Sequence, residues 1–247
     1  MKIINSKRWQ KAQSAESGYW DNISIAELLR ISAEKPVFLK LIGDQLVSTL
    51  FDKKEVLEIG VGPLGISIAS FRHRKYKIRR LVKLEPLKRK SILASPLMSQ
   101  DWISLFLKWI QSLGDEGEYI QSAGEQLEYV CQFDTTILYN VLDHVNNPQL
   151  MLTNSYNALR ENGRLLVGVD CRSVRGRLKF EYITRRRHKG KTIVEAHPYT
   201  YLPHHVVRMM ENAGFHDIEI IGVPILIHRL VGPAFRPAFI GKKRSLN

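Results

Sequence analysis

From Glu55 onward, short apolar runs alternate with longer amphipathic segments, and this exchange of period limits the fold more than any other feature of the chain. Strand and helix taking turns in this way build a parallel sheet with helices packed on it. The runs at 56–59, 80–84, 118–121, 135–139 and 164–169 are short and apolar enough to be buried strands. Helices are expected between them, over 65–71, over 87–113 in one or two pieces, near Glu125, and over 148–160, where Arg160 and Gly163 supply a basic last turn and a stop. A helix over 203–212 closed by Gly214, then runs at 217–221 and 225–230, completes the pattern with a final hairpin. Ahead of it, apolar positions of 22–51 recur at helical spacing with Pro36 between them, which predicts two N-terminal helices.

A sheet of this kind needs a sizeable core, and 247 residues with 44% hydrophobic and 25% charged content can build one. No stretch reaches the ~18 uninterrupted apolar residues of a membrane span. The basic start has no apolar run behind it to make a signal peptide. Cys131 and Cys171 are the only cysteines, neither in a CxxC pair nor at ligand spacing from a histidine, so a reducing, cytoplasmic setting is expected and no structural metal site.

Chemistry concentrates at the ends of the expected strands, where open sheets of this class bind ligands. After the first run stand Glu58, Ile59, Gly60, Val61, Gly62, Pro63, Leu64 and Gly65. Glycines here let backbone approach a ligand and turn with positive φ, as a dinucleotide site also requires. Glu58 separates the two cases, because a carboxylate at this point suits a cationic amino-acid moiety and repels a pyrophosphate. Glu85, followed by Pro86, ends the second run about 20 residues beyond the glycines, where an acid can accept from both hydroxyls of a ribose.

The segment EIGVGPLG resembles the first motif of the class I S-adenosylmethionine-dependent methyltransferases, ExGxGxG in general form. Three later segments, around Glu85, 119–127 and 134–145, resemble the same family in the same order, covering about 54–221. The resemblance implies a three-layer, Rossmann-like α/β fold: a seven-stranded sheet, helices on both faces and an N-terminal helical cap. It divides the chain into a cap at 1–53 and a cofactor-binding methyltransferase domain at 54–247 with a basic insertion at 171–200. By resemblance Gly60 and Gly62, in a loop with Pro63 and Gly65, lie against the aminocarboxypropyl chain and ribose of S-adenosylmethionine. Ala123, Gly124 and Glu125 line the adenine, although Ala123 stands where many relatives carry an acid. Asn140 and Val141 border the sulfonium methyl, and His144 is the candidate catalytic base, since imidazole titrates near neutral pH.

The acceptor is less legible. Aromatic residues and His188, His197, His204 and His205 in the second half could line a pocket for a small molecule or a glycan. Adjacent His204 and His205 should point apart on a helix, which argues against a metal there. The net charge of +13 is more than accounted for by residues 72–90, with ten Arg or Lys against one acid, and 172–191, with nine against one. Such segments could instead serve a nucleic-acid (RNA) methyltransferase. A third reading is a catalytically inactive cofactor-binding interaction protein. The tail from Arg229 mixes aromatic and basic residues and is expected to lie on a membrane surface, close over the substrate, or fray.

Overall fold

A computed structural model describes residues 4–91, 101–189, 192–222 and 234–245. Its centre is a seven-stranded sheet of order β3-β2-β1-β4-β5-β7-β6. The strands are β1 (Glu55–Ile59), β2 (Arg80–Glu85), β3 (Glu118–Gln121), β4 (Phe133–Tyr139), β5 (Leu159–Gly168), β6 (His216–Ile221) and β7 (Ala238–Lys242). Strands β3, β2, β1, β4 and β5 pair in parallel, and β7 runs antiparallel to both β5 and β6.

Alternation along the strands supplies the core on both faces. Leu57, Ile59, Val82, Leu84, Leu165 and Val167 join a cluster with Met151 and Leu152 of helix α6 (Pro148–Ala158) and Val206 and Met210 of the helix at Pro203–Asn212. Their neighbours Val56, Leu81, Ile137 and Leu166 pack instead with Phe38, Leu39 and Ile42 of α2 (Ile25–Ile42) and Leu50 and Phe51 of α3 (Asp44–Phe51). Complete burial of such side chains stabilises by about 1.5–3 kcal/mol each.

Residues 22–51 form the two expected helices, α2 and α3, with Pro36 inside α2 rather than between them, and a further helix, α1 (Ser6–Asp21), precedes them. An interior proline costs about 3 kcal/mol. The burial of Phe38, Leu39 and Ile42 beyond it offsets that cost, and the break falls at Gly43. Phe38, Leu39 and Ile42 of α2 and Leu50 and Phe51 of α3 pack in the same core cluster as β1, β4 and β5.

The helix expected over 65–71 is replaced by an irregular segment ending in a 3-10 turn, Ala69–Phe71, and the short helix α4, His73–Tyr76. Its backbone is held by buried charges rather than by a helical ladder. Lys83 Nζ donates to Gly65 O (3.0 Å) and to Gly114 O (2.6 Å) of helix α5 (Asp101–Asp115), Lys35 Nζ donates to Ile66 O, and Glu58 accepts from the N–H of Ile68 (3.1 Å) and Ala69 (3.4 Å).

Helix α6 stops at Ala158, two residues early, because β5 already begins at Leu159, opposite Phe133. The basic stretch after β5 winds into helix α7 (Val174–Lys179), a π-helical turn at Phe180–Thr184 and the short helix α8 (Arg185–Arg187), followed by α9 (Thr192–Glu195) and α10 (Pro203–Asn212). The expected run at 225–230 lies outside the described residues. The seventh strand comes from the tail, which does not fray at 238–242: Phe239 enters one core cluster, Ala238 and Ile240 the other. No helix among the described residues is long and apolar enough to cross a membrane.

Candidate functional site

A cavity of about 480 Å³ opens at the carboxyl ends of β1, β2 and β4 and is covered by α1. Gly60, Gly62, Glu85, Pro86, Ala123, Gly124, Glu125, Asn140, Val141 and His144 all line it, so four sequence segments meet at one place. Glu58, Pro63 and Gly65 are not among the lining residues.

The parity of β1 explains Glu58. It shares a face with Val56, which packs toward α2 and α3, and is 1% exposed. Its carboxylate accepts from the Ser67 hydroxyl as well as from the two backbone N–H groups beyond it. Glu58 thus shapes the loop from behind. Gly65 faces α5, where an added Cβ would stand 2.9 Å from Gly114 O, and the carbonyl of Pro63 accepts from Lys90 N. Gly60 and Gly62 adopt φ of 79° and 78°, open to glycine and strained for other residues. Val141 packs against the bare face of Gly60 and Trp20 of α1 against that of Gly62.

Glu85 is 6% exposed and accepts from Gly62 N (2.8 Å) and Leu87 N (3.1 Å). Burial raises its pKa to about 7 despite those two donors. Gly124 packs so closely that an added Cβ would lie 2.6 Å from Met151 and 2.7 Å from Ile59, and its carbonyl accepts from Asn154 Nδ2 (3.1 Å). Glu125 accepts through Oε1 from the N–H of Asn146 (2.8 Å) and Asn147 (3.2 Å), fixing the turn after β4.

That turn begins at Asn140, whose φ of 55° lies in the left-handed region that asparagine tolerates. Its N–H donates to Gly168 O at 2.6 Å, and the reversal carries Val141 onto Gly60. Asp143, 4% exposed, lies 2.7 Å through Oδ2 from His197 Nδ1. His144 places Nε2 3.7 Å from Asp143 Oδ1 and Nδ1 3.3 Å from Glu16 Oε2 on α1. Burial disfavours the charge of His144, but Asp143 and Glu16 outweigh it and hold the pKa up at about 9. His144 therefore carries a proton at neutral pH, and this arrangement does not present it as a free base.

Several lining residues were not read from sequence. Helix α1 contributes Trp9, Glu16, Tyr19 and Trp20, helix α2 contributes Glu27, Arg30, Glu34 and Lys35, and the chain after β5 contributes Asp170 and Arg236. Arg236, in the tail expected to lie on a membrane surface or close over the substrate, donates to Asp170 (2.8 Å), Glu34 (3.1 Å) and the Tyr139 hydroxyl (2.9 Å). The helical spacing in 22–51 was the signal for α2. For Arg236 the sequence offered only a basic residue between apolar ones.

Of the four later histidines only His197 lines the cavity. His204 and His205 do not point apart: their rings meet at 4.4 Å, because His205 Nδ1 folds back to accept from Leu202 N at 3.3 Å. The basic segments are partly paired within the protein, while Arg175, Lys179, Arg186, Arg187 and Lys189 of the second are exposed. Arg79 pairs with Asp134, Arg80 with Glu118 and Lys75 with Asp44, while Arg185 pairs with Glu181 and donates to the carbonyls of His197 and Pro198. Arg79 and Arg80 also stand at the start of β2, the opposite end of the strand from Glu85.

A family model described as a methyltransferase domain matches residues 34–220. A search of curated proteins finds no significant match. Among solved structures, a SAM-dependent methyltransferase from Thermotoga maritima is 17% identical with a TM-score of 0.51, over 84% of this chain and 89% of that one. A SAM-dependent methyltransferase from Archaeoglobus fulgidus is 12% identical with a TM-score of 0.55, over 85% and 94% of the two chains. Phosphoethanolamine N-methyltransferase 2 of Haemonchus contortus, solved with phosphomonomethylethanolamine and S-adenosylhomocysteine, is 13% identical with a TM-score of 0.56, over 86% of this chain and 53% of that one. At these identities the likeness is one of fold.

Proposed function

Because the chain belongs to the class I S-adenosylmethionine-dependent methyltransferases, whose cofactor is S-adenosylmethionine, we propose that the cavity under α1 holds that cofactor together with a small polar acceptor, a small molecule or glycan unit. The observation that carries the reading is the convergence of Gly60, Gly62, Glu85, Gly124 and Asn140 on one cavity.

The lining fits a cationic nucleoside. Six acids, Glu16, Glu27, Glu34, Glu85, Glu125 and Asp170, face it against four bases, Arg30, Lys35, Arg236 and the protonated His144. This negative balance takes over the part first given to Glu58, attracting positive charge. Glu85 offers a buried carboxylate for hydroxyl donors, and Asn140 Oδ1 is a buried acceptor with no partner of its own. When bound, the cofactor supplies an electrophilic methyl group on a positively charged sulfur. The chain's own work is to hold an acceptor in line with that group and keep water out, which can account for several kcal/mol of a barrier. Asn140 and Val141 stand at the strand end, and Trp9, Tyr19 and Trp20 roof the space. That roof favours a small acceptor over a polymer. Two free thiols fit the reducing, cytoplasmic setting expected from their number.

The test is binding of S-adenosylhomocysteine, followed by transfer of labelled methyl to fractionated small molecules. A ligand bound only by the folded state must raise the melting temperature, and no shift at saturation removes the proposal. Glu85 gives the binding a pH signature. Its pKa of about 7 lies above the ordinary 4.5, so its contribution to stability is full below pH 4.5 and is lost as pH rises through about 7. Ribose hydroxyls favour the ionised carboxylate, so binding expels a proton and calorimetric affinity should rise up to about tenfold between pH 6 and 8. Glu85→Gln should weaken binding and flatten that rise. An equal slope in the variant places the proton elsewhere.

A further inference from the structure

Asp143 and His144, just after β4, and His197, beyond α9, each offer one donor atom, and the three atoms lie within 4.8 Å of one another. Helix α1 adds a second carboxylate, Glu16, 3.3 Å from His144 Nδ1. The imidazole rings are 4.3 Å apart. Hydrogen bonding does not satisfy the group. Asp143 Oδ1 and His144 Nδ1 are buried without a hydrogen-bond partner, and so are Asn140 Oδ1 and Asn146 Oδ1 in the same turn. Four of the eight such atoms among the described residues thus fall within seven residues, where buried polar atoms are ordinarily paired.

The geometry points to a divalent transition-metal site formed by Asp143, His144 and His197, with Glu16 of α1 against the other ring nitrogen of His144, where it orients the imidazole. A cation about 2.1 Å from each ligand atom separates those atoms by about 3–3.5 Å. The present spacings from the Asp143 carboxylate to the two imidazoles, 2.7 and 3.7 Å, bracket that range. Two imidazoles with carboxylates suit Mn²⁺, Fe²⁺, Co²⁺ or Zn²⁺ better than Mg²⁺ or Ca²⁺, which prefer all-oxygen sets. Glu16, His144 and His197 line the cavity, so the metal would face the acceptor, and an oxygen-bearing acceptor is the class it would hold.

Metal binding is independent of the methyltransferase reading and is measured apart from it. The full chain, stripped with a chelator, is titrated with Co²⁺, followed by its visible absorption bands, and with Mn²⁺ and Zn²⁺ by calorimetry. One equivalent per chain is expected, weakened at least about tenfold in His197→Gln and in Asp143→Asn. The double variant His204→Gln, His205→Gln should bind as the wild type does. The side chain of His197 is 29% exposed, so its variant should fold, as circular dichroism will verify. The site is overturned if folded wild type takes up none of these ions at millimolar concentration, if His197→Gln binds unchanged, or if affinity falls with the His204 and His205 pair instead. A melting shift with S-adenosylhomocysteine on the same samples separates failure of the metal site from failure of the cofactor site.

Discussion

Glu58→Ala should lower the free energy of unfolding by about 3–5 kcal/mol, the range for breaking a buried charged network by removing one partner. The Ser67 hydroxyl and the N–H groups of Ile68 and Ala69 lose their acceptor at once, in a segment with no helical ladder to take them up. Lys35, buried with its proton affinity pulled down by burial, loses the carboxylate that most strongly counters that effect. Urea denaturation followed by circular dichroism measures the loss. Glu58→Gln keeps an oxygen acceptor for the loop and should retain affinity for S-adenosylhomocysteine. A large loss of affinity in a stably folded Glu58→Gln would return this residue to direct cofactor contact, as the motif first suggested. A stability change below about 1 kcal/mol in Glu58→Ala would show the loop standing without its tie.

Gly60→Ala should leave the sheet folded and reduce cofactor affinity about a hundredfold, close to 2.7 kcal/mol. Two effects add. The backbone at φ 79° is strained for any side chain, at about 1–2 kcal/mol. The new Cβ would also stand 2.3 Å from Val141 Cγ2 and drive it into the cavity it lines. Combining Gly60→Ala with Val141→Ala removes the closest contact, with Cγ2, but leaves the 2.7 Å approach of Cβ and the strain, so calorimetry with S-adenosylhomocysteine should find only part of the affinity restored. Unchanged affinity in the single variant would mean that the glycine loop is not the binding surface.

Periodicity made the sheet legible. The expected runs at 56–59, 80–84, 118–121 and 135–139 coincide with β1 to β4 within a residue or two, and 203–212 is α10. These segments are buried on a regular period, which is what a sequence displays. The misses share a cause: each element is defined by what it meets in space. Helix α1 buries only Ala12 and carries no apolar stripe, being held instead by its cap Asn5 and by Arg8 and Lys11 against Glu195. Strand β7 hides in a tail because its neighbours, β5 and β6, lie far away in sequence. The glycine motif located the cavity, yet motif alone could not say that Glu58 turns away from it. The pleat of β1 decides that, and the same rule applied to Val56 would have disclosed it. His197 was named only as one histidine among four, for nothing along the chain announces that it reaches Asp143, 54 positions earlier.

The placement of β7 sets an order of assembly. Both of its edges are occupied, by β5 on one side and β6 on the other, while β6 pairs with no other strand among the described residues. During synthesis the parallel strands can associate as they emerge, but β6 has no ladder to join until residues 238–242 are made. One end of the sheet is therefore completed by the latest-made strand, inserted between two older ones. A nascent chain stalled before Ala238 would expose β5 as an open edge, the kind of surface that recruits other strands.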